Sequence, residues 1–374
     1  MKYQSIIIGG GLAGLVSAIQ LSKQNIKVLL IEKNSYPKHK VCGEYISNEV
    51  IPYLRELGFD PFANGAKKIN KLTISNSKSR TVNSQLPLGG FGISRYCIDN
   101  ALLELAKSNG AEILQDTVTD VQFGHDQFKV STSHKKTFHT NYVIGAYGKR
   151  SNIDKQLSRN FIKKSSPYLA VKAHYRGSFP DDEVHLHNFA GGYCGLSKVE
   201  SDHINVCYIT DYNSFKKYKN IETFQNEVMS QNAYLKKAFQ KYKMVFDKPL
   251  TISQISFEHK QAVYKHILMC GDSAGMIHPL AGNGMSMAIR AAEMSSKLIS
   301  EAIKGTINSR EQLEEEYHRM WNKEFKKRLN AGHILSKLFR ITFLSDIVIT
   351  FIKIFPFLLP IIIKQTHGRQ NFDH

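Results

Sequence analysis

The sequence predicts an α/β composite: a mostly parallel sheet flanked by helices and built from discontinuous pieces, an inserted antiparallel sheet, and a helical C-terminal region. Three observations carry this. Residues 3–32 read as strand, helix and strand, with Gly9-Gly10-Gly11-Leu12-Ala13-Gly14 at the first junction. Residues 168–209 hold β-type runs punctuated by Gly, Pro, Asp and Ser. A second strand-to-helix junction, Gly271-Asp272 followed by Gly282-Asn283-Gly284, stands near residue 280.

The elements follow in order. Residues 3–8 are a buried apolar strand, 12–24 a helix and 27–32 a second apolar strand, which together make one β-α-β unit. A loop at 36–44, with Pro37 and Gly43, leads to a helix at 50–57. Residues 72–88 alternate in part and predict short antiparallel strands ending at Gly89-Gly90. Residues 96–108 form an amphipathic helix with Ile98, Leu102, Leu103 and Ala106 on one face. Strands resume near Ala111 and at 118–123, 128–132 and 142–146, then at 168–175, 184–189, 192–199 and 204–209. Residues 223–242 read as one helix, 266–270 as a strand, 285–303 as a long helix and 309–339 as a charged helix.

At 374 residues the chain can bury a sizeable core, and 42% hydrophobic with 22% charged residues excludes a disordered or collagen-like class. The formal charge of +18 (50 basic minus 32 acidic) points to anionic partners: a pyrophosphate cofactor, an acidic carrier or substrate, or an anionic membrane face. The lysines are dispersed and no zinc-finger, ribonucleoprotein or basic-zipper pattern occurs, so no nucleic acid partner is expected. Cys42, Cys97, Cys194, Cys207 and Cys270 are odd in number and widely spaced. They predict neither disulfides nor a metal site, and fit a cytoplasmic protein. No signal peptide is expected, because the apolar stretch from Ser5 runs straight into glycines.

Residues 341–363 are apolar but hold Asp346, Lys353, Pro356 and Pro360. Their uncharged run, 354–363, is about half of what a bilayer span needs. Helices packed on the body of the protein are expected. The alternative is peripheral docking at the inner face of a membrane, aided by Lys326, Lys327, Arg328, Lys337 and Arg340. Nothing in the sequence specifies an oligomeric state.

Gly9, Gly11 and Gly14 permit a tight turn, close phosphate approach and close helix–strand packing. The helix opening at Leu12 and Ala13 then offers unpaired N–H groups and a positive dipole end to a pyrophosphate. Glu32, followed by Lys33, ends the next strand, near the spacing at which a carboxylate accepts hydrogen bonds from adenosine ribose hydroxyls.

The second junction decides which dinucleotide. Met269-Cys270-Gly271-Asp272-Ser273-Ala274, Pro279 and Gly282-Asn283-Gly284-Met285-Ser286-Met287-Ala288 resemble the flavin-binding signature of the para-hydroxybenzoate hydroxylase-like flavoprotein superfamily. That superfamily includes aromatic hydroxylases, flavin halogenases and geranylgeranyl reductases. The resemblance implies FAD, with Asp272 on the ribityl chain. The helix after Gly284 and Met285 would aim its N-terminus at the flavin N1–C2=O edge, where reduced flavin carries negative charge. Lys40-Val41-Cys42-Gly43-Glu44 resembles the Cys-Gly-Glu segment of the geranylgeranyl reductase branch, which lies close to FAD. Ser94-Arg95 with Asp99 resembles that branch's Arg-x-x-x-Asp helix start, whose arginine lies over the cofactor. Gly191-Gly192-Tyr193 resembles the strand roofing the substrate pocket. The resemblance covers residues 1–305; beyond it only the apolar C-terminal helices and Thr366-His367-Gly368 are similar, weakly.

These readings place 1–66, 96–164 and 262–305 in a Rossmann-like FAD-binding domain, 67–95 and 165–261 in a substrate-binding antiparallel-sheet domain, and 306–374 in the C-terminal helical region. The implied activity is FAD-dependent oxidoreduction of a hydrophobic small molecule, led by hydride reduction of a carbon–carbon double bond. The alternatives are a monooxygenase acting on an aromatic or quinone-type ring, and a membrane-associated flavoprotein with little turnover. Cys42 reads either as a proton donor beside the flavin or as a small buried filler. His174, His185 and His187 read as satisfied core or surface histidines, and His278 stands nearer the flavin. Tyr147 replaces the aspartate of the superfamily's Asp-Gly segment, which argues against direct reduction by NADPH. NAD(P)H or another electron donor stays open. The only tryptophan is Trp321, so the tryptophan-rich halogenase signature is missing and halogenation is not expected.

Overall fold

The computed structural model describes residues 2–368 apart from 165, 219, 254, 280, 281 and 341. Strand Lys2–Ile8 is central in the first sheet, parallel to Val28–Glu32 on one side and Thr137–Gly145 on the other. Ile267–Met269 continues the parallel order beyond Thr137–Gly145, and Glu112–Gln115 does so beyond Val28–Glu32. The hairpin of Val118–Gly124 and Gln127–Thr132 joins through antiparallel pairing with Thr137–Gly145. Parallel strands are covered on both faces, which is why Ile6, Ile7, Leu29 and Leu30 are all buried. Helix Leu12–Lys23 packs against both Arg95–Ser108 and Gly284–Ile303, and its burial on nearly every side explains its near-continuous apolar sequence.

The second sheet runs Lys243–Met244, Tyr168–Arg176, Ile204–Asp211, Gly192–Lys198, Glu183–Phe189, Lys67–Ser75, Thr81–Gly92, Tyr45–Ser47. Its neighbours are antiparallel except Glu183–Phe189 with Lys67–Ser75. Strand Tyr168–Arg176 separates two environments by its period of two. Leu169, Val171, Ala173 and Tyr175 pack with Phe224 and Leu235 of the outer helices, whereas Ala170 joins Tyr193, Ile209 and Ile255 on the inner face.

Several expectations need correction. Residues 223–242 are two helices, Ile221–Glu227 and Ala233–Lys241, broken at Asn232. The buried Asn232 amide donates to Ser75 Oγ (2.8 Å) and to the carbonyls of Asn76 and Asn188, while its Oδ1 caps Tyr234. The first helix stops at Glu227, a short 3-10 turn covers Met229–Gln231, and the Asn232 side chain caps the start of the second helix. Residues 72–88 belong to two long strands, and Gly89-Gly90 lie inside the second, where Gly90 pairs with Ile69 and Ser47. Tyr45–Ser47, Lys243–Met244, Leu250–Ser253 and Val263–Tyr264 are strands that the pattern did not signal.

Beyond residue 306, helix Arg310–Arg340 buries Leu313, Tyr317, Trp321 and Phe325 in the main core. The Tyr317 hydroxyl donates to the Met269 carbonyl at 2.7 Å, tying this helix to the first sheet. Helices Thr342–Ile354 and Leu358–Thr366 follow, split at Pro356, and pack on strand Thr81–Gly92. The side chains of Lys337 and Arg340 lie outside those described. Among the described residues no helix is long and apolar enough to cross a membrane.

Candidate functional site

At the first junction Gly9 has φ +102°, and a Cβ there would stand 2.5 Å from the Ala146 carbonyl oxygen. A Cβ on Gly14 would overlap the carbonyl oxygen of Gly9. Gly9 therefore lets the turn approach the backbone that follows strand Thr137–Gly145, and Gly14 lets the helix pack on the turn and first strand; neither lines the cavity. Gly11 opens helix Leu12–Lys23 with no side-chain cap, which leaves the first-turn N–H groups for a ligand. Arg95 Nη2 would lie 3.5 Å from a Cβ on Gly11. Its guanidinium is held by Asp99 through two bonds of 2.8 and 2.7 Å, and Asp99 also accepts from Lys40 Nζ at 2.7 Å. A helix N-terminus and the Arg95 guanidinium thus stand side by side on the cavity wall, with Lys40 and Asp99 behind the arginine.

Glu32 is differently engaged. Its carboxylate accepts from Gly10 N at 2.7 Å, Asn34 N at 2.9 Å and Asn34 Nδ2 at 2.6 Å. The Tyr36 hydroxyl donates to the Gly10 carbonyl beside it. Glu32 braces the turn at its outer end, and Lys33 is exposed beyond it; neither lines the cavity.

The second junction is pinned from below. Ser273 Oγ accepts from Gly148 N at 2.9 Å, and buried Arg159 donates to the Ser273 carbonyl (2.8 Å) and to Asp154 (3.0 Å). Lys260 Nζ donates to the Asp272 and Lys149 carbonyls at 2.7 and 2.8 Å. Tyr147, in place of the expected aspartate, donates to Met269 Sδ at 3.3 Å. Gly271 has φ +59°, and a Cβ on it would sit 3.6 Å from Ala13 Cβ and 3.3 Å from Ala288 Cβ. The two junctions therefore meet. Gly11, Leu12, Ala13, Arg95, Asp272, Pro279, Gly282, Gly284 and Met285 line one cavity of about 340 Å³. Arg159, Asp154 and Lys260 were not found from sequence; their only local signal is the Ser151–Asp154 capping box.

Cys42 and Gly43 line the same cavity, with Cys42 Sγ 3.5 Å from Met285 Sδ. Asn205 Nδ2 donates to both of their carbonyls, at 3.2 and 2.8 Å. Burial pushes the Cys42 thiol above its ordinary pKa, so it keeps its proton. Glu44 is fully buried and accepts from Lys172 Nζ (2.7 Å) and the Arg95 backbone N–H (2.8 Å), with His174 Nε2 at 2.7 Å. Burial alone would raise this carboxyl; Lys172 and His174 outweigh it and hold it below the usual range.

His39, Glu44 and His174 offer ligand atoms within 4.8 Å of one another. The Lys172 ammonium already neutralises Glu44, so the cluster is an ion-paired network rather than a vacancy for a cation. His187 is buried against Ser75 Oγ at 2.8 Å, and His185 faces Glu183 at 2.7 Å. His278 packs on Phe257 with ring centroids 4.7 Å apart. None of these three lines the cavity.

Burial pulls His39 down to about 4, and His187 and His278 to about 3. Below pH about 6.5 the unfolded chain takes up protons that the native state refuses at these rings. Stability is therefore expected to fall as pH drops from about 6.5 towards 4, measurable as lower urea midpoints at acid pH.

The same cavity is also lined by apolar residues of the second sheet, among them Ala170, Tyr193 and Ile209. It ends among Leu72, Ile74 and Leu86, closed by Val348, Ile352, Leu359 and Ile362 of the C-terminal helices.

The comparisons with known proteins agree with this geometry. A family model described as "FAD binding domain" matches residues 2–323. The digeranylgeranylglycerophospholipid reductase of Methanocaldococcus jannaschii is 24% identical, over 86% of this chain and 83% of its own. Among solved structures, the flavin-dependent brominase Bmp2 superposes with a TM-score of 0.79 at 17% identity, covering 98% of this chain and 93% of that one. PqsL, a probable FAD-dependent monooxygenase from Pseudomonas aeruginosa, gives 0.72 at 14% identity, covering 92% and 98%.

Proposed function

The chain belongs to the FAD-binding-domain family of flavin-dependent oxidoreductases, and on that premise we propose that it reduces a carbon–carbon double bond in a hydrophobic small molecule of isoprenoid or polyketide-like type. The observation that carries this reading is a proton-bearing thiol, Cys42, beside Met285 on the wall of one cavity that is lined both by the glycines of the two junctions and by apolar side chains such as Leu72, Ile74 and Leu86. Bound FAD supplies hydride-transfer chemistry.

The remaining work falls to the chain's own residues. The N–H groups after Gly11, with Arg95, would hold the pyrophosphate; Asp272 would face the ribityl chain. The N-terminus of Gly284–Ile303 would face the pyrimidine edge. Cys42 Sγ would hold the proton destined for the second alkene carbon. Asn205 fixes the Cys42-Gly43 backbone, and the apolar walls exclude water and orient a non-polar chain. The neighbouring reductase and the likeness in fold to a monooxygenase suit this chemistry and its principal competitor.

Single-turnover assays with a polyprenyl alkene decide between them. The pre-reduced enzyme is expected to saturate the alkene without oxygen, and Cys42→Ala should be at least about a hundredfold slower while retaining FAD. Label from isotopic oxygen appearing as a hydroxyl in the product would overturn the reductase reading in favour of the monooxygenase. Absence of turnover in both arms would leave a binding protein.

A further inference from the structure

We propose that the outer face of helices Thr342–Ile354 and Leu358–Thr366 docks flat on an anionic lipid surface. Among the described residues, six of the twelve exposed large apolar side chains fall within residues 347–361. Ile347, Phe351, Ile354, Phe357 and Ile361 are 49%, 52%, 65%, 62% and 51% exposed, where a surface helix of a soluble body would show polar groups. The phenylalanines among them adjoin through Phe355, itself exposed: the Phe351 and Phe355 rings are 4.9 Å apart, and Phe355 and Phe357 6.2 Å.

The opposite faces are already spent. Ile349, Ile352, Leu359 and Ile363 are buried with Leu72, Ile74 and Leu86 over the apolar end of the cavity. These helices are thus apolar on two sides, and packing on the body explains only one.

Charge selects the occupant. Lys353 and Lys364 are exposed on the same two helices. The only acidic residue between 342 and 368, Asp346, faces Lys78 at 3.4 Å. The whole chain carries +18. Apolar side chains rimmed by lysines match an interface of acyl chains and anionic headgroups. A second copy of this chain would set lysines against lysines. Length fixes the orientation: helices of 13 and 9 residues reach roughly 20 and 14 Å, short of a hydrocarbon core of about 30 Å, so they lie in the interface. The break at Phe355-Pro356-Phe357 places two exposed rings at the turn between them. The docking does not depend on which reaction the flavin performs.

The test uses the full chain loaded with FAD and floated with vesicles of phosphatidylcholine, alone or mixed equally with phosphatidylglycerol. Binding to the mixed vesicles is expected, at least tenfold weaker on phosphatidylcholine alone. The double substitution Phe351→Asn with Phe357→Asn should weaken binding to the mixed vesicles at least tenfold while flavin absorbance is unchanged. Lys353→Glu with Lys364→Glu should remove the preference for the anionic lipid. No binding by the unsubstituted protein would overturn the proposal, as would equal binding by the phenylalanine variant. A homodimer that this variant converts to monomers would assign the face to a second copy instead. Because flavin absorbance is read separately, loss of FAD cannot be mistaken for failure to dock.

Discussion

Glu44→Gln is expected to destabilise the protein by about 3–5 kcal/mol, because it leaves an ammonium buried without its counter-ion. Lys172 and Glu44 are both fully buried, 2.7 Å apart, so neither water nor salt screens the pair. The amide keeps the shape of the carboxylate and removes only the charge, which makes the loss electrostatic rather than steric. Chemical denaturation at pH 7 measures it. Adding Lys172→Met to the same variant should recover much of the loss, since removing both partners abolishes the stranded charge. A single-variant effect under about 1 kcal/mol would show that Lys172 sheds its proton or finds another partner. The Glu44 carbonyl also accepts from Ile93 N at 3.2 Å, so displacement here moves Cys42 and Gly43 as well.

The second large effect comes from one methyl group. Gly14→Ala should cost about 3 kcal/mol and weaken FAD binding at least about a hundredfold, because the new Cβ meets a backbone oxygen that no side-chain rotation can remove. Helix and strand must separate, and the N–H groups at Leu12 and Ala13 move with them. Gly43→Ala is the control. A Cβ there has nothing within 4 Å, so stability should stay within about 0.5 kcal/mol, while FAD affinity falls only if this cavity wall touches the cofactor. Equilibrium titration of the apoprotein with FAD, alongside urea denaturation, separates the two quantities. Equal stability of the two variants would contradict the packing argument.

What could be read from sequence was what is local. The first β-α-β unit announces itself because a parallel strand buried on both faces needs an unbroken apolar run, and its glycines lie within six residues. Asp272, Gly282 and Gly284 are legible for the same reason. Asn232 was not, because its amide donates to Ser75, Asn76 and Asn188, far away in the chain. The environment of Glu44 was equally hidden: Lys172 and His174 are 128 and 130 residues distant. A lysine and a histidine two apart in the apolar run Leu169-Ala170-Val171-Lys172-Ala173-His174-Tyr175 were the available hint, since two polar side chains on one strand face call for a buried partner. Glu32 was legible in the same way as the glycines, by its spacing from their turn, and in the structure its carboxylate accepts from Gly10 N and from Asn34.

Strand Ile267–Met269 lies beside Thr137–Gly145, although the antiparallel sheet from Tyr168 to Ser253 is synthesised between them. A ribosome therefore delivers the glycine turn at residue 9 long before the wall that faces it at residues 271–285. Pairings across such intervals are slow to close, and the nucleotide cleft has only one side until they do. Capture of FAD is therefore expected to come late in the life of each new polypeptide, once the ribosome has passed the helix at Gly284.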